Sequence, residues 1–149
     1  MAELILQDLS RISKWRVFGG YDVRPGTSTG AGDELVWAVS PGEWTVLSTR
    51  PKGDVVDLTH VRCMFRLTGD RAAELLNRIC ALDLSDGMFP TGAAGRTLVA
   101  GVVTELVRDD IEDVPSYLIL PSSSFGRYLW GTIEDAGTGL DLLSGDQSG

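Results

Sequence analysis

His60 is the only histidine among 149 residues, and it closes the run Asp57-Leu58-Thr59-His60. An imidazole near a carboxylate can take and return protons, but nucleophilic catalysis needs a further oxygen or sulfur held against it. Nothing in the sequence reads as a nucleophile elbow, a sharp turn between a strand and a helix. With one histidine and two cysteines, a metal centre of several His or clustered Cys ligands is excluded by count. Arg66 adds a cation further along the same stretch, so Asp57, His60 and Arg66 make the candidate small-molecule pocket. The competing and preferred reading is structural: at the start of a strand, Thr59 or His60 hydrogen-bonds the turn.

The other carboxylates divide into Asp54, Asp70, Asp83 and Asp86 near element ends, and a cluster of Asp109, Asp110, Glu112 and Asp113. Paired carboxylates do acid–base work where burial separates their pKa values, and these positions read instead as caps and a solvated turn. The cluster lacks the glycine and closing glutamate of a calcium loop, so no metal site is expected. Cys63 and Cys80 lie on apolar sides of a strand and a helix and read as reduced core thiols. Trp37, Trp44, Phe125, Tyr128 and Trp130 are the candidate partner-interface residues, because large aromatics bury much area at small entropic cost. Core packing is the preferred reading for each of Trp37, Trp44 and Trp130 taken singly, and it is the four tryptophans together in one small acidic domain that suggest a partner surface.

Composition narrows the partners. The chain is 43% apolar, enough for one domain with its own core. Its formal charge of −8 argues against nucleic acid and anionic membrane surfaces, which require dense Lys and Arg. No apolar run approaches the ~20 residues of a membrane span, and MAELILQDLS lacks the order of a secretion signal. The expectation is a cytoplasmic protein with neither nucleic acid nor membrane as partner.

The elements that must position these residues follow from periodicity. Residues 1–19 read as an N-terminal arm, and 20–33, rich in Gly, Ser, Thr and Pro, as a flexible loop. That loop has neither the Gly-Lys-Ser/Thr of a phosphate loop nor the fingerprint of a dinucleotide site. A single domain spans 34–137. It starts with a hairpin, Leu35 to Val39 and Thr45 to Ser48, turned at Ser40-Pro41-Gly42-Glu43. From Arg62 to Thr68, Cys63, Phe65 and Leu67 alternate as in a half-buried strand. Gly69 and Asp70 then break it, Asp70 is a candidate cap, and Ala72, Leu75, Leu76, Ile79 and Cys80 keep helical spacing. Arg96 to Arg108 reads as one strand, bent or bulged at Gly101, and Ser116 to Leu120 as another. Ser122 to Ala136 reads as a serine-capped helix stopped at Gly137, and 138–149 as a frayed tail. The expected fold is α+β: a mainly antiparallel sheet with two helices on one face, ferredoxin-like.

The order D-L-T-H, strand, T-G-D-R-A-A-E-L-L, D-L-S-D resembles the first half of the aminomethyltransferase (glycine-cleavage T-protein) superfamily. Asp57, Leu58, Thr59, His60, Gly69, Asp70, Ala72, Leu75, Leu76, Asp83 and Leu84 match its pattern. Within it, the short length, Ser40 to Ser48 (SPGEWTVLS) and Ser122 to Trp130 (SSSFGRYLW) resemble the gamma subunit of heterotetrameric sarcosine oxidase. The resemblance runs from about Glu34 to Ala136. It implies half of the aminomethyltransferase folate-binding fold, and a non-catalytic small subunit of a flavin-dependent amine oxidase or demethylase, packed on the large subunit's transferase-like region. FAD, FMN, NAD and tetrahydrofolate are then held by the large and flavin-binding partner subunits, and none by this chain. The alternative is a free-standing folate- or small-molecule-binding, C1-transfer protein that uses Asp57, His60 and Arg66.

Overall fold

A computed structural model describes residues 2–31, 34–47, 50–51 and 53–145. In chain order its strands begin with β1 (Ile5–Asp8), β2 (Lys14–Val17), β3 (Thr27–Ala31), β4 (Glu34–Ser40), β5 (Glu43–Leu47), β6 (Val55–Asp57) and β7 (Phe65–Thr68). Helix α1 (Ala72–Asn77) precedes β8 (Ala94–Val99), β9 (Val102–Arg108) and β10 (Ser116–Pro121), and α2 (Gly126–Ala136) precedes β11 (Leu143–Gly145). The described strands form two sheets. A six-stranded sheet runs β11-β1-β7-β10-β9-β8, antiparallel except where β11 lies parallel to β1, and a five-stranded antiparallel sheet runs β3-β4-β5-β2-β6.

Alternation on the six-stranded sheet builds two cores. Leu6, Phe65, Leu67, Leu106, Tyr117 and Ile119 face the helices and meet Leu75 and Leu76 of α1 and Leu129 and Ile133 of α2. The residues between them, Met64, Val107, Leu118 and Leu120, face the second sheet and pack on Trp37. The second sheet turns Val17, Val36 and Val46 away, where Tyr21 and Val23 of the loop after β2 help cover them. The fold class is therefore α+β, mostly antiparallel, with both helices on one face of the six-stranded sheet and a second sheet on the other.

Several local expectations are corrected. Residues 1–19 are no arm: β1 sits inside one sheet and β2 inside the other. Within 20–33, Thr27–Ala31 is a strand paired with β4, while 32 and 33 lie outside the described residues. Within the expected frayed tail, Leu143–Gly145 pairs with β1, and 146–149 lie outside the described residues. Short, polar or glycine-rich segments of this kind become strands because a neighbouring edge supplies their hydrogen bonds. Asp70 caps no helix; its carboxylate accepts the Ala2 N–H at 2.6 Å, and Arg71 is the N-cap without a side-chain bond. The serines before α2 supply a 3₁₀ turn, Ser123–Phe125, with no side-chain cap.

Gly69 is needed where it stands. Its φ is +144°, and a Cβ there would lie 2.6 Å from the Glu3 carbonyl oxygen and 2.8 Å from the Leu4 Cα, so the backbone just before β1 and the β7–α1 turn touch. The presumed bend at Gly101 is a two-residue hairpin turn: Val99 pairs with Val102, and Ala100 and Gly101 both have positive φ, 51° and 80°. Those are the signs of a type I′ turn, whose favoured first residue is Asn or Asp rather than Ala. Ala100→Asn is therefore expected to raise the unfolding free energy by about 0.5–1 kcal/mol, read as a higher urea midpoint.

Candidate functional site between the two sheets

Asp57 and His60 stay together, and Arg66 goes elsewhere. The Asp57 carboxylate accepts the Thr59 N–H at 2.9 Å, and hydrogen bonding from the Thr59 side chain and then from that N–H, with the nearby His60 and Lys14, holds its pKa below the usual carboxylate range. The turn is pinned from beneath by Lys14. Thr59 Oγ1 accepts the Lys14 N–H at 3.1 Å, and Leu58 donates its N–H to the Lys14 carbonyl at 2.8 Å. The Lys14 side chain is buried completely, and its ammonium donates to the carbonyls of Ser10 (2.7 Å), Ile12 (2.9 Å) and Thr59 (3.3 Å). Burial lowers the Lys14 pKa, while Cys63, Asp57 and Asp8 pull it up. Leu58 and Lys14 point inward, while Asp57 and His60 are exposed.

Arg66, on β7, donates to the Asp109 carboxylate at 3.0 Å, the Asp109 carbonyl at 3.1 Å and Ser116 Oγ at 2.8 Å. It ties β7 to the start of β10 and takes no part in the Asp57–His60 turn. Arg108, almost fully buried, is similar: it bonds Asp86 at 2.6 Å, Asp110 at 2.9 Å and the Phe89 carbonyl at 3.0 Å, over the Tyr117 ring. Burial works against its charge, but the hydrogen bonds to Asp110 and Asp86 win and its pKa stays raised. Burial also raises the Tyr117 pKa, and its hydroxyl has no hydrogen-bond partner among the described residues.

The aromatic candidates separate by exposure. Trp37 is fully buried between the sheets and presents nothing to a partner. Trp44 is partly buried, donating to the Val23 carbonyl at 3.0 Å. Trp130, also partly buried, meets Phe65 edge-on with centroids 5.2 Å apart. Phe125 and Tyr128 are exposed. A tryptophan on a hairpin reads alike in sequence whether its strand lies at a surface or beneath another sheet.

The chemical centre that residue spacing did not reveal is Glu105 on β9. It is almost completely buried between the sheets, where Trp37 Nε1 donates to one carboxylate oxygen at 3.2 Å. The other oxygen lies 3.5 Å from Arg16 of β2 and 3.5 Å from Arg62. Arg16 also reaches Glu43 of β5 at 3.2 Å, while its Nε is buried without a hydrogen-bond partner among the described residues. The sequence signal was slight: one glutamate within an otherwise β-favouring run, Val102 to Arg108. Among the described residues no group of three or more His, Cys, Asp or Glu is placed to hold a metal, and Cys63 and Cys80 are free thiols. This arrangement holds charges in place and offers cationic donors; it brings no nucleophile and base together.

Glu105→Gln removes the buried negative charge that Arg16 and Arg62 share and is expected to lower the unfolding free energy by about 2–4 kcal/mol, whereas Glu43→Gln, at a half-exposed pair, should change it by less than about 1 kcal/mol. Lys14→Met leaves three carbonyls without their donor and should lower it by about 2–4 kcal/mol, and urea unfolding reads all three variants.

No family model matches the chain, and no curated protein matches it. Solved structures do share its fold. One is a chain of the heterotetrameric sarcosine oxidase from Corynebacterium sp. U-96, determined in complex with pyrrole 2-carboxylate. It matches at a TM-score of 0.78 and 20% identity, over 94% of this chain and 86% of that one. Another is the glycine cleavage system aminomethyltransferase T from Bartonella henselae, with a TM-score of 0.70 and 13% identity, over 96% of this chain and 48% of that one. The chain thus spans about half the length of the aminomethyltransferase. At these identities the likeness establishes the fold, which is that of an aminomethyltransferase-like domain. No helix among the described residues is long and apolar enough to cross a membrane.

Proposed function

We propose that this chain is a small, non-catalytic subunit of a flavin-dependent amine oxidase or demethylase related to heterotetrameric sarcosine oxidase, seated on the transferase-like region of a larger subunit. The observation that carries the reading is coverage in both directions. The sarcosine oxidase chain is matched over 86% of its own length, so it is itself a chain of this general size, whereas the aminomethyltransferase is matched over only 48%. The motifs Asp57 to His60, Gly69 to Leu76 and Asp83-Leu84 agree with that assignment. The chemistry of the interior agrees as well: its buried charges are committed to ties between elements, and Asp57, His60 and Arg66 do not converge. On this reading the flavins, NAD and tetrahydrofolate belong to the partner chains, and this chain helps enclose the channel between them.

The test is purification of the tagged chain from its native host, with visible spectroscopy of the product. A complex showing flavin absorbance, bleached by sarcosine or another secondary amine, is the expected result. A colourless, solitary protein that binds tetrahydrofolate would overturn the proposal and establish the free-standing folate-binding alternative.

A further inference from the structure

The β8–β9 hairpin has two unequal faces. Toward the helices, Val99 and Val102 are buried, Cys80 bridges to Val99, and the Tyr128 hydroxyl donates to the Ala100 carbonyl. On the opposite face the second sheet covers Ala94 and Val107 but not the outer half, where the cross-strand partners Leu98 and Val103 are 55% and 56% exposed. Paired apolar side chains on a bare sheet face, unlike isolated ones, mark a surface built for contact. Val56 of the edge strand β6 is 48% exposed and lies opposite Arg16 on β2, so it shares the face from which Arg16 reaches Glu105. Glu105, two residues along β9 from Val103 and on the same face, supplies an ionic floor beside the exposed pair.

That floor is short of acceptors. Both oxygens of Glu105 are taken, one by Trp37 and the other by Arg16 and Arg62, and the Arg16 Nε is buried without a hydrogen-bond partner among the described residues. Arg96 stands directly across from Glu105 in the β8–β9 register, hence on the same face. It is exposed and has no hydrogen-bond or ion-pair partner among the described residues. Three guanidinium groups thus face the carboxylates of Glu105 and Glu43, a local excess of positive charge in a chain of net charge −8. Elsewhere the acidic surface repels anionic partners; here it is the reverse.

We propose that this corner receives a segment of the large partner subunit presenting an apolar side chain beside an Asp or Glu, the apolar group against Leu98 and Val103 and the carboxylate on Arg96 and Arg16. This inference rests on the subunit assignment above. Exposed Phe125 and Tyr128 continue the contact around the same end of the sheet, where Ser123 donates to the Val61 carbonyl.

Arg96→Glu and Val103→Lys change exposed side chains and are compared with Met88→Lys, which alters an exposed residue in the loop before β8. Each tagged chain is co-expressed with the other subunits in the native host, and assembly is read as flavin absorbance per tagged chain, with circular dichroism melting of the isolated chain as a check on folding. The expected result is loss of assembly by about tenfold or more for Arg96→Glu and Val103→Lys at unchanged melting temperature, with Met88→Lys retaining it. Full assembly by both corner variants overturns the docking surface and leaves the subunit assignment standing. A wild-type chain that gathers no flavoprotein overturns the assignment and the inference together. A flavin-free homodimer that Arg96→Glu dissociates overturns the partner named here in favour of a second copy.

Discussion

Burial of β10 on both faces is the constraint from which the architecture follows. All six of its residues are buried, Tyr117 and Ile119 toward the helices and Leu118 and Leu120 toward the second sheet. An antiparallel strand with one wet face would alternate apolar with polar residues; this one cannot tolerate water on either side. Two covering layers are therefore obligatory. Helices α1 and α2 supply one, and the sheet led by β4 supplies the other, with Trp37 filling the interval over Leu118 and Leu120. Strands β1 and β2 are drawn in for the same reason, since β1 extends one sheet and β2 the other.

Joining two sheets over an apolar interval leaves their polar ends to be reconciled, and this acidic chain does so with its few cations. Lys14 holds three carbonyls around the turn at Thr59, Arg66 ties β7 to the start of β10, Arg108 ties the end of β9 to the loop carrying Asp86 and Phe89, and Arg16 and Arg62 meet on Glu105. Buried ion pairs contribute little net stability against apolar replacements of equal volume, yet each becomes costly when one member is removed. Their effect is to specify which elements meet. The Asp57-Leu58-Thr59-His60 run belongs to this scheme: Thr59 and Leu58 are bonded to Lys14, so the motif is part of the joint between β2 and β6.

Legibility in the sequence followed the range of the interactions. The hairpin through Pro41-Gly42 was readable because Pro before Gly, here with φ of +77° at Gly42, is a local turn preference. The β7, α1 and α2 segments were readable because two- and 3.6-residue periods record which face is buried. Strands β3 and β11 were not, since their sequences are polar or glycine-rich and their partners lie on other segments. Glu105 was equally hidden. One carboxylate in a β-favouring run looks like a solvated position until the strand bearing Arg16 is laid over it.

The amino-acid sequence alone determined the α+β class, the helix faces, the main turns and the motif order that resembles the aminomethyltransferase superfamily, because each of these is written in residue types a few positions apart. Tertiary structure decided the rest. It set the second sheet over β10, withdrew Trp37 into the interior, separated Arg66 from Asp57 and His60, and left Arg96, Leu98 and Val103 facing an uncovered corner. Those outcomes depend on which distant strands pair and which faces they cover, and side-chain exposure is a property of that packing rather than of any local run of residues.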